Sequence, residues 1–148
     1  MTLSYADSPA VLVCGGLRDL LISAGVATWE EDPASYGSND TGMSFVKVPK
    51  SPDRMITFTP FDVQDTVPLL DRVIRVQVRV RGSRRPLDAE RLSEQVFRVF
   101  HARHHLVWGG LKIARIRRES SGNIGPDEND RLQLSDNYEV LTQREFTA

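Results

Sequence analysis

Apolar and polar residues alternate along the middle of the chain, in the run VIRVQVRVRG at residues 73–82. The side chains of a strand point alternately to its two faces. This run therefore predicts a strand with one face in a hydrophobic core and the other facing water or a partner. The polar face carries Arg75, Gln77, Arg79 and Arg81, and Gly82 is expected to end the strand.

Two other segments repeat apolar residues at three- and four-residue spacing, which is typical of amphipathic helices. The first predicted helix begins at Pro9, with Ser8 as its N-cap, and ends at Gly25, whose position suits a C′ glycine. Gly15-Gly16 inside this helix is expected to let another backbone pack closely. The second predicted helix covers about residues 86–104.

Further strands are predicted over residues 55–59, 111–118 and 132–140. Asp136 interrupts the alternation of the last strand, so a bend or bulge is expected there. Residues 120–130 are predicted to form a loop.

The order α-β-β-α-β-β predicts an α+β fold, an antiparallel or mixed four-stranded sheet with two main helices packed on one face. We expect a single domain over residues 1–148. Turn-forming residues dominate the segment before the first strand, and residues 32–49 are predicted to be an extended loop or arm. A short extended piece is expected within it, from Met43 to Val48.

Composition narrows the classes of function. The formal charge is −1, from 19 basic and 20 acidic residues, and this balance argues against a dedicated nucleic-acid binder. The single cysteine, Cys14, excludes an intramolecular disulfide, and its place on the first helix's apolar stripe predicts a small buried hydrophobe. The N-terminus lacks a basic region, and the apolar run 10–14 is too short to span a bilayer. We therefore expect a soluble protein made in a cytoplasm, without a membrane partner.

No motif supports catalysis, a metal site or a cofactor. His101 and His105 stand at helical i, i+4 spacing, but no HExxH glutamate accompanies them, so we interpret them as structural. The G-x-S-x-G and G-K-[S/T] patterns are absent from the sequence. We expect a protein that is not an enzyme.

The arginine face, extended by Arg84 and Arg85, has three interpretations. It is a solvated strand face, a contact with acidic groups of a neighbouring subunit, or a phosphate-binding surface. The near-neutral net charge argues against the third.

A second candidate surface is the polar loop before the last strand. It lacks the alternating oxygen ligands and terminal glutamate of an EF-hand, so we interpret it as an acidic surface loop suited to docking. Its candidate residues are Gly122, Asn123, Gly125, Asp127, Glu128 and Asp130.

Four runs occur in order along the chain: LRDLLISAG at 17–25, KSPDRMIT at 50–57, VQVRVRG at 76–82 and GPDENDR at 125–131. Together they resemble the tail terminator and minor capsid protein family of long-tailed bacteriophages, over roughly residues 10–143. This resemblance implies a structural virion protein at the head-proximal end of the tail, in the neck. It implies a subunit of a six-membered ring that caps the tail tube, stops its polymerisation and joins the tail to the head.

The same resemblance implies other copies of the chain, the tail tube protein and a head–tail connector or head-closure protein as partners. Genomic DNA would only pass through the lumen, and no cofactor is implied. Two alternatives remain at this point: another neck component, and a small nucleic-acid-binding module that uses the arginine face.

Overall fold

A computed structural model describes residues 7–65 and 71–143. Within these ranges three strands follow the first helix and a 3₁₀ turn, and three more follow the second helix. The elements are α1 (Pro9–Ser23), a 3₁₀ turn (Pro33–Ser35), β1 (Thr41–Phe45), β2 (Arg54–Asp65), β3 (Asp71–Arg81), α2 (Asp88–Phe100), β4 (His104–Trp108), β5 (Leu111–Pro126) and β6 (Leu132–Gln143).

The strands form one curled, mixed sheet in the order β1-β2-β3-β6-β5-β4. β1 runs parallel to β2, and the remaining pairs are antiparallel. The predicted four-stranded sheet is therefore wrong, because the sheet has six strands. The two missed strands, β1 and β4, are five residues each. They lie at the sheet edges. β1 overlaps the short extended piece that was expected inside the loop, whereas β4 begins at the last residue of the predicted helix and continues through residues for which no element was predicted.

The first helix follows its local signals. The Ser8 hydroxyl accepts a hydrogen bond from the Val11 amide at 3.3 Å, and Gly25 has the positive φ of +73° that a C′ glycine adopts. The second helix is shorter than predicted and ends at Phe100. Ala102 and His105 both have φ of +56°, so the chain turns there and continues as β4.

One face of the sheet and both helices enclose the hydrophobic core. Ile74, Val76, Val78 and Val80 are fully buried, as the alternation of β3 predicted. Phe100 of α2 meets Tyr138 of β6 edge-to-face, with ring centroids 5.2 Å apart.

Two residues of α1 also face this interior. Cys14 is buried, as predicted, and burial raises the pKa of its thiol to about 12. Gly16 leaves room for the indole ring of Trp108, so a side chain rather than another backbone makes the close approach. Neither described helix has the length and apolar character needed to cross a membrane.

The β5–β6 hairpin differs most from prediction. β5 continues to Pro126, so residues 120–126 belong to a strand rather than a loop. Three register shifts interrupt its pairing with β6, and they explain its imperfect alternation. β6 itself pairs regularly with β3 through Asp136, so the bulge predicted there is wrong. Asp136 is instead a fully buried carboxylate that accepts hydrogen bonds from the hydroxyls of Ser93 and Ser121.

The segment 32–49 folds back along the sheet edge. It contains the 3₁₀ turn and β1, which overlaps the extended piece expected from Met43. The Tyr36 hydroxyl lies 2.9 Å from the carbonyl oxygen and 3.1 Å from the amide nitrogen of Met43. This side chain therefore holds the preceding turn against β1.

Candidate functional site on the helix-free face

The polar residues of β3 lie on the face of the sheet opposite the helices. The β3–β6 register places Arg75, Gln77, Arg79 and Arg81 opposite Glu139, Asn137, Ser135 and Gln133, respectively. Both strands thus contribute a polar side chain at every second position. The result is a continuous polar surface, which we call the helix-free face.

Arg75 is the centre of an ion-pair cluster at one end of this face. Its guanidinium donates to Glu119 through Nε at 2.8 Å, to Asp62 through Nη1 at 2.9 Å and to Glu139 through Nη2 at 3.3 Å. The hydrogen bond to Glu119 raises the pKa of Arg75, and the negative charges of Glu119 and Asp62 raise it further. The Arg75 guanidinium is therefore held by carboxylates of its own chain.

Glu139 connects Arg75 to two arginines of β5. Arg117 Nη2 lies 3.2 Å from Glu139 Oε2, and Arg115 Nη2 lies 3.8 Å from Oε1. The cluster thus combines three guanidinium groups with three carboxylates. Such balance makes this part of the face a poor binder of phosphate, which needs excess positive charge.

The middle of the face is uncharged except for Arg79. Arg79 Nε donates to Gln133 Oε1 at 2.9 Å, and Gln77 Nε2 donates to Ser135 Oγ at 2.9 Å. Both β3 side chains remain partly exposed. Arg79 pairs here with a neutral amide, so its charge stays available to a partner.

Arg81 has a different environment from the rest of the face. It is only 3% exposed, and its guanidinium donates to the backbone oxygens of Asp53 at 2.9 Å and Pro52 at 2.7 Å. Burial is the main reason that the pKa of Arg81 falls to about 10, and the positive charge of nearby Arg131 also lowers it. Arg81 therefore fixes the loop before β2, and its side chain offers almost no surface to a partner.

The same loop is fixed from the other side by Arg131. Its guanidinium is also 3% exposed and donates to the Lys50 oxygen at 2.6 Å, to Asp53 at 3.1 Å and to Asp127 at 2.9 Å. Burial of the Arg131 guanidinium disfavours its charged form. The hydrogen bonds to Asp127 and Asp53 outweigh this effect, so the pKa of Arg131 is raised. Arg81 and Arg131 together join the loop before β2 to the β5–β6 turn.

The β5–β6 turn is organised by Asp127. Its Oδ1 accepts the amides of Asn129 at 3.0 Å and Arg131 at 2.9 Å, in the manner of an Asx turn. Burial favours its neutral form, yet the hydrogen bonds from Arg131 prevail and lower the pKa of Asp127. Glu128 and Asp130 remain exposed on the outside of the turn.

The structure brings part of the two predicted surfaces together. Arg84 Nε donates to the carbonyl oxygen of Asn129 at 3.0 Å, so the β3–α2 loop lies against the β5–β6 turn. Arg84 and Arg85 in that loop are exposed, as are Glu128 and Asp130 in that turn. We call these four residues the charged tip. Gly122 and Asn123 lie within β5 and Gly125 lies just before the turn, with φ of +86°.

Sequence reasoning missed Glu139, Glu119 and Arg131 as members of the site. A signal for Glu139 was present, because polar residues at 133, 135, 137 and 139 alternate as those of β3 do. Arg131 and Glu119 gave no comparable signal, since their partners come from distant segments.

The histidines do not form a common site. His101 lies just beyond the last residue of α2 and packs on Phe97, whereas His104 contacts His105 on β4. The i, i+4 helical spacing of His101 and His105 therefore does not exist. In the described part of the chain, no three His, Cys, Asp or Glu residues cluster in a way that could hold a metal ion.

Comparison with known proteins assigns the chain to a family. No curated protein sequence matches it. The family model for bacteriophage tail terminator proteins matches residues 20–144, which is most of the chain, and the resemblance seen in the sequence is thereby confirmed. This family consists of structural proteins of the phage virion. The chain therefore belongs to the bacteriophage tail terminator protein family.

Proposed function

We propose that the protein forms a ring, with six copies as its expected number, at the head-proximal end of the tail tube. The ring stops tube polymerisation and presents its other side to a head–tail connector or head-closure protein. The family match carries this proposal. Because a ring needs heterologous contacts, each copy must offer two different surfaces to its neighbours.

We further propose that the helix-free face lines the lumen or lies against a neighbouring copy, with Arg75, Gln77 and Arg79 as its central residues. The balanced charges around Arg75 support this role, because DNA passes internally paired arginines without being held by them. Arg81 contributes indirectly by fixing the loop before β2.

The charged tip is our candidate for docking to the tube or the connector. It combines exposed charges of both signs, and Asp127 and Arg131 hold its backbone in one conformation. A preorganised turn loses little conformational entropy when it binds. Gly122, Asn123 and Gly125 belong to the strand that supports this tip.

The location of the protein tests the proposal. Tails purified from phage that make no heads should carry it as a ring at one end, visible by cryo-electron microscopy. If it is found instead on DNA-filled heads without tails, the protein is another neck component and the terminator function is wrong. Strong, steeply salt-dependent binding to duplex DNA would favour the nucleic-acid module.

Charge reversals test the two surfaces. Arg79→Glu should reduce ring assembly and virion yield, whereas Arg98→Glu is the matched control because that arginine is 77% exposed on α2. An unchanged yield for Arg79→Glu would remove the helix-free face from the proposal.

For the charged tip, Glu128→Lys should reduce joining of tails to heads, while Glu90→Lys on α2 should not. Both variants leave the Asp127 turn intact, so a folding defect is not expected. Normal joining by Glu128→Lys and by a variant with the tip shortened would contradict the docking role.

A further inference from the structure

An apolar cleft lies at the β1 edge of the sheet. Its volume is about 490 Å³, and its walls include Trp29 and Pro33 before β1, Phe45 within β1 and Pro49 after it. The rings of Trp29 and Phe45 are in contact, with centroids 4.8 Å apart. We call this cavity the edge cleft. Its apolar walls suit an apolar side chain.

The aromatic wall of the edge cleft is held in place by Arg18. This arginine of α1 is 5% exposed, and its guanidinium carbon lies 4.9 Å from the ring centroid of Trp29 and 5.6 Å from that of Phe45. Asp19 accepts a hydrogen bond from Arg18 Nε at 2.9 Å. A cation packed against two rings fixes their positions, so the cleft is formed before a partner binds.

The surroundings of the edge cleft are acidic. Glu30 lines it together with Lys47, and residues 19–46 contain no arginine or lysine. Glu30, Asp32 and Asp40 are exposed, and none of the ion pairs among the described residues includes them. The acidic residues of this segment are Asp19, Glu30, Glu31, Asp32 and Asp40. We therefore expect the partner of the cleft to bring positive charge.

The opposite edge of the sheet carries the opposite charge. It is formed by β4 with β5 beside it, and residues 101–118 contain no acidic residue. Their basic residues are His101, Arg103, His104, His105, Lys112, Arg115, Arg117 and Arg118. Although Glu139 of β6 lies near Arg115 and Arg117, both arginine side chains remain more than half exposed. We call β4 and residues 111–118 of β5 the basic edge.

The basic edge also presents an exposed apolar side chain, Val107, with 63% of its surface accessible. Val107 pairs with Lys112, and the side chains of a cross-strand pair lie on the same face. Lys112 alternates with the core residues Leu111 and Ile113, so this face is the helix-free face. Val107 thus lies among basic residues, as the edge cleft lies among acidic ones.

The two surfaces complement each other but do not meet within one chain. Four strands lie between β1 and β4 in the sheet, and Val107 is exposed. Each copy can therefore offer its edge cleft to one neighbour and its basic edge to another. A second copy of the chain is thus the partner that charge complementarity favours.

We propose that the basic edge of one copy docks on the edge cleft of the next, with Val107 entering the cleft. Lys112 and Arg115 then face Glu30 and its acidic neighbours. The proposal rests on the ring described above and specifies how its subunits meet. Burial of Val107 supplies affinity, and the charges select the partner and its orientation. Because the two surfaces differ, the contact is heterologous and propagates around a ring.

Charge reversal of each surface tests this contact. Glu30→Lys with Glu31→Lys makes the cleft basic, and Lys112→Glu with Arg115→Glu makes the opposite edge acidic. Either double variant alone places like charges against each other. Virion yield should therefore fall by about tenfold or more when either one replaces the wild-type chain in the phage.

Production of both double variants in the same cell is the decisive experiment. The reversed cleft of one variant fits the reversed edge of the other, and their unchanged surfaces fit each other as well. The two chains can therefore alternate around a six-membered ring. Virion yield should return to within about threefold of the wild-type yield, which neither variant reaches alone.

Equal reversals on the exposed face of α2 are the control. Glu90→Lys with Glu94→Lys, and Arg91→Glu with Arg98→Glu, should leave the virion yield unchanged.

Val107→Asp tests the apolar part of the contact, because it brings a carboxylate into an apolar cleft with acidic surroundings. It should lower the virion yield as strongly as a charge reversal. Urea unfolding checks that each variant is folded. The single changes Glu30→Lys and Arg115→Glu replace any double variant that is not.

Normal yield from a folded reversal variant or from Val107→Asp would overturn the contact. Failure of the two folded variants to restore the yield together would overturn it too. In either case, wild-type tails that carry a ring in cryo-electron micrographs leave the ring proposal in place. Wild-type tails without any ring would contradict the proposed function itself.

Discussion

The ion pair between Arg54 and Asp88 gives the most quantitative prediction. Arg54 Nε and Nη2 donate to the two carboxylate oxygens at 2.8 and 2.7 Å, and the Ser83 amide donates to the same carboxylate at 2.8 Å. These bonds connect the start of β2 to the start of α2 and fix the loop that carries Arg84. Asp88→Asn keeps the size and the acceptor for Ser83 but removes the charge.

The expected loss follows from the burial of the two partners. Breaking a fully buried ion pair costs about 3–5 kcal/mol, and one charge-assisted hydrogen bond contributes about 1.5–3 kcal/mol. Asp88 is buried, but the Arg54 side chain is 42% exposed and stays hydrated in the variant. We therefore expect the free energy of unfolding at pH 7 to fall by about 2 kcal/mol. For a domain of this size Tm should fall by about 4–8 °C.

The pH dependence follows from the direction of the pKa shift. Hydrogen bonding to Arg54 lowers the pKa of Asp88 well below its ordinary value of 3.8, so the stabilisation is complete above about pH 4. It is lost as the pH falls from 4 towards the folded-state pKa. The difference between wild type and Asp88→Asn should therefore be about 1 kcal/mol smaller at pH 3 than at pH 7.

Urea unfolding of both proteins at pH 7, 5 and 3 measures this difference. Glu94→Gln is the control, because its exposed pair with Arg98 on α2 should contribute less than about 0.5 kcal/mol. A loss below 0.5 kcal/mol for Asp88→Asn at pH 7, or a loss that does not change with pH, would refute the reasoning.

Three further variants test packing and edge protection. Gly16→Ala should destabilise the fold by about 1–2 kcal/mol despite its better helix propensity, because the new methyl group meets the Trp108 ring; a gain in denaturant stability would contradict this. Tyr36→Phe should cost about 1–3 kcal/mol and accelerate hydrogen exchange at the Met43 amide, so unchanged exchange would show that the hydroxyl does not protect β1. Tyr138→Phe should be neutral or stabilising by up to about 1 kcal/mol, since the buried hydroxyl has no hydrogen-bond partner among the described residues. A melting temperature clearly below wild type would show that this hydroxyl is bonded.

Signals within the local sequence were sufficient to predict the helix α1 and the central strand β3. Ser8, Pro9 and Gly25 mark the ends of α1 within the chain segment itself, and strict alternation identifies both faces of β3. β1 is only five residues long, too short to show a period, and it depends on parallel pairing with β2. β4 is equally short, but it pairs with the next strand across Gly109-Gly110, and such a Gly-Gly pair is a local hairpin signal that the prediction did not use. The sheet was therefore predicted with four strands instead of six.

For the candidate site, too, the sequence predicted some features and not others. The alternation of β3 identified which residues share the helix-free face, but not what they contact. Arg75 meets Asp62 because a register shift after Pro60 realigns β2, and it meets Glu119 because β5 is also bulged. Such shifts depend on tertiary packing, so the burial of Arg81 and the pairing of Arg75 were not visible in the sequence.

Measurement of tail length tests the central claim most directly. The gene should be inactivated and the particles examined by electron microscopy. If the protein terminates the tail, tubes grow beyond their normal length and accumulate beside DNA-filled heads that have no tails. Supplying the chain in trans should then restore normal length and joining. Tubes of normal length in its absence would contradict the account, whether or not they are joined to heads.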